Sequence, residues 1–406
     1  MKIVHIYPKG NSGSSAAARR LNCKLQEYGV KSFPMELDFS KRSKNYNIVK
    51  NSILILKNRL IYGRVKMKPG YPFFTSEIKW NIKEKEEIKN ADIIHIHWTE
   101  SFYSFENYKW ILSLGKKVVW TCHDSWIFTG GCCVKEGCEK YKEGCNQCKY
   151  ITGGGKKDIS YWHYNKKKKL FCEQNITFIA PSEWMDCNLK NSFLKEKDIC
   201  KISNIPNYNI FYRKTDEEII KRFQDVKKDD TKINILFGAD SLEHSYKGTK
   251  DVIETLQLLY QQDNDIVNKV RIFILGSGWE ECEVINHYEH YYLGYINNEY
   301  DMSCAYSLAD ILMFPSHDDN LPYMVLESLA CGTPVLAYAI GGIPEIIEHK
   351  KSGYLVNEVS AEKFSEGLKW LMENQLDHSI VAQSVRKRFD EKEIVEQHIQ
   401  LYSELL

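Results

Sequence analysis

A strand, a Gly-bearing turn and a helix follow one another near the start of this chain, and the same pattern begins again halfway along. Lys2–Tyr7 is a short β-type run, Lys9 to Ser15 is rich in Gly and Ser, and residues 15–28 have helical spacing closed by Gly29. Residues 92–98, 117–122 and 177–180 predict further strands, the last halted by Pro181, with helical stretches between them. After a polar stretch near residues 205–216, strands are predicted at 233–238, 271–275, 310–314 and 335–338. Helices are predicted at 249–261 and 322–331, with Gly341-Gly342 leading into another near Glu345. Strands that alternate with helices form parallel sheets, so the expected class is α/β with two doubly wound, Rossmann-like domains. Such sheets bind ligands outside the carboxyl ends of their strands, and a central cleft faced by both domains is the expected active site.

Length agrees, since 406 residues exceed what one ordinary core organises. With 43% apolar and 27% charged residues the chain is a globular protein, not a disordered one. No apolar run reaches the length of a membrane span. The opening Met1–Lys9 is too short and polar for a signal peptide, so a cytoplasmic protein with mostly reduced cysteines is expected. The net charge of +1 conceals a division: residues 1–205 hold 36 Lys and Arg against 20 acids, and residues 206–406 hold 19 against 34. The basic half is expected to meet an anionic surface.

The most informative stretch runs from Asp319-Asn320-Leu321-Pro322 through Glu327 to Gly332-Thr333-Pro334-Val335. Two acids bracket the first turns of a helix with Pro at its start. Amides at that end can bind a diphosphate, and a carboxylate eight residues on can reach sugar hydroxyls. By themselves two acids at this spacing favour a capped, solvated helix. Taken with Gly341-Gly342-Ile343-Pro344-Glu345, the segment resembles the acid-x7-acid motif of the retaining glycosyltransferases of family 4, which have the GT-B fold. Asp319 stands where that family usually has Glu.

The resemblance implies that Asp319, Asn320 and Leu321 meet the donor sugar and that Glu327 binds the nucleotide ribose. A second match is Leu236-Phe237-Gly238-Ala239 with Lys247-Gly248 at the next helix start. There Gly238 lines the donor site and the Lys247 ammonium balances the leaving diphosphate, a charge-assisted contact of roughly 1.5–3 kcal/mol. Many relatives carry an Arg near this Lys; the segment 240–246 has none, and His244 or Arg213 is left to compensate. In the first half, Gly13 lies in the Ser-rich loop where the family has a Gly-rich one. His123 follows a strand and, by the resemblance, approaches the transferring sugar; a structural pair with Asp124 is the plainer alternative. His97 ends another strand and stays outside the catalytic set of His123, Lys247 and Asp319. No carboxylate is placed as a nucleophile, which suits same-face transfer resting on positioning and charge stabilisation.

These readings imply an acceptor-binding domain at 1–205, a nucleotide-sugar-binding domain at 206–385, and a last helix within 386–406 packing back on the first. The implied reaction moves a sugar from a nucleotide-diphosphate donor to a hydroxyl of a cell-surface glycan or lipid-linked acceptor, with no cofactor for catalysis. A nucleotide-sugar epimerase and a non-catalytic nucleotide-sugar-binding subunit are the alternatives. Lys166–Lys169 reads as a solvated or membrane-facing run, since no nucleic-acid module accompanies it. Residues 41–90 hold 13 Lys or Arg against four acids, interleaved with Tyr62, Tyr71, Phe73, Phe74 and Trp80. That composition predicts a peripheral contact with the inner face of an anionic membrane. Finally, Cys132, Cys138, Cys145 and Cys148, with Cys133 spare or in place of Cys132, crowd a short loop and suggest a structural zinc held by four thiolates, an irregular loop of reduced thiols being the plainer alternative.

Overall fold

A computed structural model describes every residue except Asn11, 39–65, 77–84, Gly154, Asp225 and 227–230. Two compact units emerge, one of Met1–Asn204 with Ile394–Leu406 and one of Ile205–Glu393. In the first, β1 (Lys2–Pro8), α1 (Gly13–Glu27) and β2 (Lys31–Leu37) are followed by β3 (Ile93–Ile96) and α2 (Phe105–Leu112). Then come β4 (Lys117–Thr121), α3 (Ile159–Cys172), β5 (Ile176–Ala180), α4 (Glu183–Lys190) and β6 (Asp198–Lys201). The strands form one parallel sheet in the order β2-β1-β3-β4-β5-β6.

Chain order reverses between β1 and β3, because the chain first builds outward to β2 and then returns to the other side of β1. At such a switch the loops leaving neighbouring strands part in opposite directions and open a crevice. Central strands β3 and β5 are buried along their whole length, which apolar runs such as Ile93-Ile94 and Phe178-Ile179-Ala180 make favourable. Trp120 and Trp126 stack inside this unit with Tyr108 and Phe171 around them. Tyr71, Phe73 and Phe74, expected at a membrane face, are half-buried: Tyr71 stacks on Tyr150, Phe73 bridges to Cys132 and Phe74 meets Trp98 edge-on. Tyr62, Trp80 and most of the basic segment lie outside the described residues.

The second unit repeats the plan with β7 (Ile233–Ser241), α5 (Thr249–Gln262), β8 (Val270–Ser277), β9 (Glu289–Gly294) and β10 (Ile311–Phe314). It continues with α6 (Tyr323–Ala330), β11 (Val335–Tyr338), β12 (Gly353–Val356) and α7 (Ala361–Asn374). This sheet is also parallel, in the order β9-β8-β7-β10-β11-β12, and reverses between β7 and β10. Helices α5 and α7 turn Val252, Leu256 and Leu259, and Phe364, Leu368 and Leu371, into one core with the strands. The last helix, α8 (Glu391–Leu405), begins in the second unit and from Ile394 onward belongs to the first, where Val395, His398 and Tyr402 are buried. Among the described residues no helix is long and apolar enough to cross a membrane.

Candidate active site

The switch point of the second sheet gathers the residues singled out there. Lys247 ends the short turn Ser245–Lys247 after β7, and Asp319 lies in the loop after β10. Lys247 Nζ donates to Asp319 Oδ2 at 2.8 Å, with both side chains about four-fifths buried. The two loops are stitched by backbone: His317 N donates to the Tyr246 carbonyl at 2.8 Å, and Ser316 Oγ reaches the same oxygen at 3.4 Å. His317 in turn pairs with Asp251 of α5. Burial by itself would lower the Lys247 pKa; the Asp319 carboxylate and the neighbouring Tyr246 more than offset it, holding the ammonium above its ordinary value. Lys247 is therefore a fixed cation at neutral pH.

Gly341 makes the far wall of this site possible. Its φ is +58°, and a Cβ there would sit 1.7 Å from the Asp319 carbonyl oxygen, so only Gly lets the 341–342 loop pass this close. Gly342 N donates to that carbonyl at 3.3 Å, which fixes the Asp319 backbone. Asn320 and Leu321 follow, both buried, and Pro322 caps α6 in an extended conformation. One turn further, Glu327 is buried and its Oε2 accepts from Tyr306 O–H at 3.2 Å. A solvated helix face is thereby excluded for Glu327.

In the first unit His123 lies just beyond β4, and its Nε2 is 3.0 Å from His97 Nδ1. His97 Nε2 is in turn 3.1 Å from His5 Nδ1. His95 is hydrogen-bonded on both nitrogens, to Tyr402 O–H and Thr121 Oγ1, each at 2.7 Å. Burial lowers the His5 and His123 pKa values to about 3 and pushes those of His95 and His97 well down, so the whole row is neutral. Asp124 has other partners: it accepts from Trp126 N–H at 2.8 Å and from Trp98 Nε1–H at 2.9 Å, capping the turn Ser125–Phe128. The row escaped the sequence reading although its signal was present. His95-x-His97 puts two imidazoles on one face of a strand, and the parallel register sets His5 opposite His95.

Against this geometry stand the likenesses to known proteins. Residues 217–392 match the family described as Glycosyl transferases group 1. The "Putative colanic acid biosynthesis glycosyl transferase WcaC" of Escherichia coli K12 is 27% identical over 282 residues, 66% of this chain and 64% of that protein. The chain thus spans just under two thirds of that relative's length. The "N,N'-diacetylbacillosaminyl-diphospho-undecaprenol alpha-1,3-N-acetylgalactosaminyltransferase" of Campylobacter jejuni is 24% identical over 268 residues, 63% of this chain and 68% of that one. Among solved structures, Anabaena Alr3699/HepE in complex with UDP-glucose superposes with a TM-score of 0.63 at 14% identity, covering 100% of both chains. The fold is GT-B.

Other expected residues take different places in this GT-B chain. Gly238 is required by strand packing, since a Cβ would meet the Leu275 carbonyl of β8 at 2.3 Å. Gly13 is the first residue of α1, whose cap is Ser12; Ser15 Oγ donates to the Pro8 carbonyl at 2.8 Å and closes the loop. Arg213 donates to the Ala309 carbonyl and Thr333 Oγ1, at the amino end of β10 and away from Asp319, so it does not stand beside Lys247. His244 stacks on Tyr246, on the very turn that carries Lys247. Of the loop cysteines, Cys132 and Cys145 are buried while Cys138 and Cys148 are partly exposed. Burial raises the Cys145 thiol to about 12, and Gly130 N–H donates to its sulfur at 3.1 Å. No three of these sulfurs lie within 4.8 Å of one another; among the described residues that proximity belongs to His5, His95 and His97. A zinc with bonds of about 2.3 Å needs its sulfurs about 3.8 Å apart, so the loop must tighten to hold one.

Proposed function

We propose that this chain is a retaining glycosyltransferase of family 4 that moves a hexosyl-type sugar from a nucleotide-diphosphate donor to a hydroxyl of a cell-surface glycan or lipid-linked acceptor. The observation that carries the reading is the Lys247–Asp319 pair at the switch point of the second sheet, beside the amino end of α6, with Glu327 held one turn on. The second unit is assigned to the donor and the first to the acceptor.

Each group has a chemical task. Lys247 and the first amides of α6 balance the charge that grows on the diphosphate as the glycosidic bond breaks. Before donor arrives, Asp319 occupies the ammonium; a diphosphate then takes over that partner and leaves the Asp319 carboxylate for sugar hydroxyls. Glu327, held by Tyr306, is assigned to the ribose hydroxyls. His123 is the first-unit group assigned to the transferring sugar. The acceptor hydroxyl attacks on the face from which the diphosphate departs and gives its proton to the departing phosphate oxygen as the old glycosidic bond breaks, which gives retention without an enzyme nucleophile. Catalysis needs no metal in this scheme, and the loop cysteines, if they close on zinc, serve only to brace the segment before α3.

Support comes from the relatives: the "Putative colanic acid biosynthesis glycosyl transferase WcaC", the Campylobacter jejuni N-acetylgalactosaminyltransferase named for a diphospho-undecaprenol substrate, and the Anabaena structure that holds UDP-glucose. The test is a panel of nucleotide sugars scored for nucleotide release, with mass spectrometry of a lipid-linked acceptor and NMR of the anomeric product. Transfer with retention is expected. Sugar conversion without acceptor, donor binding without release, or an inverted product would each sink the proposal.

A further inference from the structure

Two buried imidazoles, His97 and His5, join His123 to the middle of the first sheet, and the polarity of that chain follows from its inner end. His5 sits in β1 and is fully buried, and its Nε2 has no protein partner among the described residues. Its Nδ1 faces His97 Nε2 at 3.1 Å, and His97 Nδ1 faces His123 Nε2 at 3.0 Å. Each imidazole is neutral and carries one proton, so each contact needs one N–H and one lone pair, and the whole row must point one way. If it ran inward from His123, every proton would sit on Nε2 and the row would end in an N–H on His5 with no acceptor. Running outward, the row leaves only a bare lone pair at His5 Nε2. A buried N–H without an acceptor is rarer in folded proteins than an acceptor lacking a donor, so the outward direction is favoured.

His95 does not alter this choice. Its partners Tyr402 and Thr121 are hydroxyls, which give or take a proton equally well, and its ring merely stacks on His97 at 4.2 Å between centroids. The three nitrogens that lie close enough to invite a metal ion belong to this same group. The hydrogen bonds already engage both nitrogens of His95 and of His97.

We propose that His97 and His5 are positioning residues that lock His123 as the neutral Nδ1–H tautomer, so that His123 serves the transferring sugar as a hydrogen-bond donor and not as a base. The assignment of His123 to the sugar rests on the function proposed above; the tautomer does not. A ring whose Nε2 is committed to His97 cannot turn over, so the donor it presents stays on one side of the ring. The device explains why the sheet would keep His5 and His97 in its interior: they fix a single hydrogen position without introducing a charge.

The test is nitrogen-15 NMR of histidine-labelled protein near pH 7, with the His123 signals assigned from a His123→Gln variant. Two-bond correlations separate the two tautomers. The wild type should show His123, His97 and His5 all protonated on Nδ1. In His97→Leu the His123 ring should become a mixture of tautomers, with sugar transfer falling on the order of tenfold, as for one misplaced hydrogen bond. In His97→Asn, whose amide can still donate at the Nδ1 position, the Nδ1–H form and most of the rate should return. A wild-type His123 protonated on Nε2, or doubly protonated, overturns the proposal without any variant needing to fold. So does a His123 tautomer indifferent to His97→Leu, or one tightly bound divalent ion per chain that depends on His5, His95 and His97. A locked tautomer together with full transfer activity in His123→Gln would instead remove His123 from the proposed reaction and leave the lock standing.

Discussion

Acid should destabilise the first unit through its buried histidines, and His163 on α3 isolates the effect. Its ring is 1% exposed, near Phe105, and burial with the charges of Lys167 and Lys166 lowers its pKa to about 3. Unfolded imidazole titrates near about 6.5, so between those values the unfolded chain binds a proton that the folded chain refuses. Stability is therefore intact above about pH 6.5 and falls as the pH drops towards 3. At pH 5 the gap is about 1.5 units, or about 2 kcal/mol for this one group. His5, lowered to about 3, and His398, lowered to about 4, act in the same direction. Together they approach the whole stability of an ordinary domain, about 5–15 kcal/mol. Glu100 and Asp124 oppose them, since burial raises their carboxyl pKa values and acid then favours the folded form. The wild-type slope mixes both signs, and a comparison with His163→Phe separates them. Urea titrations followed by Trp fluorescence suit this purpose, because seven of the nine tryptophans belong to the first unit. Between about pH 7.5 and pH 5 the wild type should lose about 2 kcal/mol more than His163→Phe. Equal losses in the two proteins would refute a neutral, buried His163.

Lys247→Ala should lower turnover by tenfold or more, on the order of one charge-assisted hydrogen bond, with a smaller change in donor binding, as read from kcat and KM for the donor. Glu327→Gln should weaken nucleotide binding several-fold by calorimetry, since an amide oxygen is a poorer acceptor for ribose hydroxyls; unchanged affinity would remove Glu327 from the site. The basic first half should co-sediment with anionic vesicles, release with salt and ignore neutral vesicles; binding to neutral vesicles alike would count against it. Elemental analysis should find one zinc per chain, lost with thermal stability in a Cys145→Ser/Cys148→Ser double variant; metal-free protein whose melting that variant leaves unchanged would end the zinc proposal.

Legibility in the sequence followed burial. The central strands β3, β5, β10 and β11 are apolar runs buried on both faces, and each was readable from its residues. The edge strands were not. β2 contains Pro34, tolerated because the strand has a neighbour on one side only, and β6 and β9 are half-exposed and polar. Nothing in Asp198-Ile199-Cys200-Lys201 distinguishes a strand from a loop until β5 lies beside it. In the same way the sequence gives no sign that Gly238 must pass close to the Leu275 carbonyl of β8; that need appears only once the two strands are paired.

By itself the sequence determined the α/β class, the two halves and the loop-to-helix segment running from Asp319 to Glu327, because periodicity, Gly and Pro act over a few residues. Tertiary structure alone decided which distant groups meet. Lys247 and Asp319 are 72 residues apart in the chain and touch because β7 and β10 are neighbours at a switch point. Arg213 is drawn instead to the opposite end of the same strand. His5 reaches His97 across 92 residues through the parallel register of β1 and β3, and Tyr402 reaches His95 across 307 through the returning helix α8. Local rules carry no information about strand order, and strand order is what converts scattered polar residues into a site.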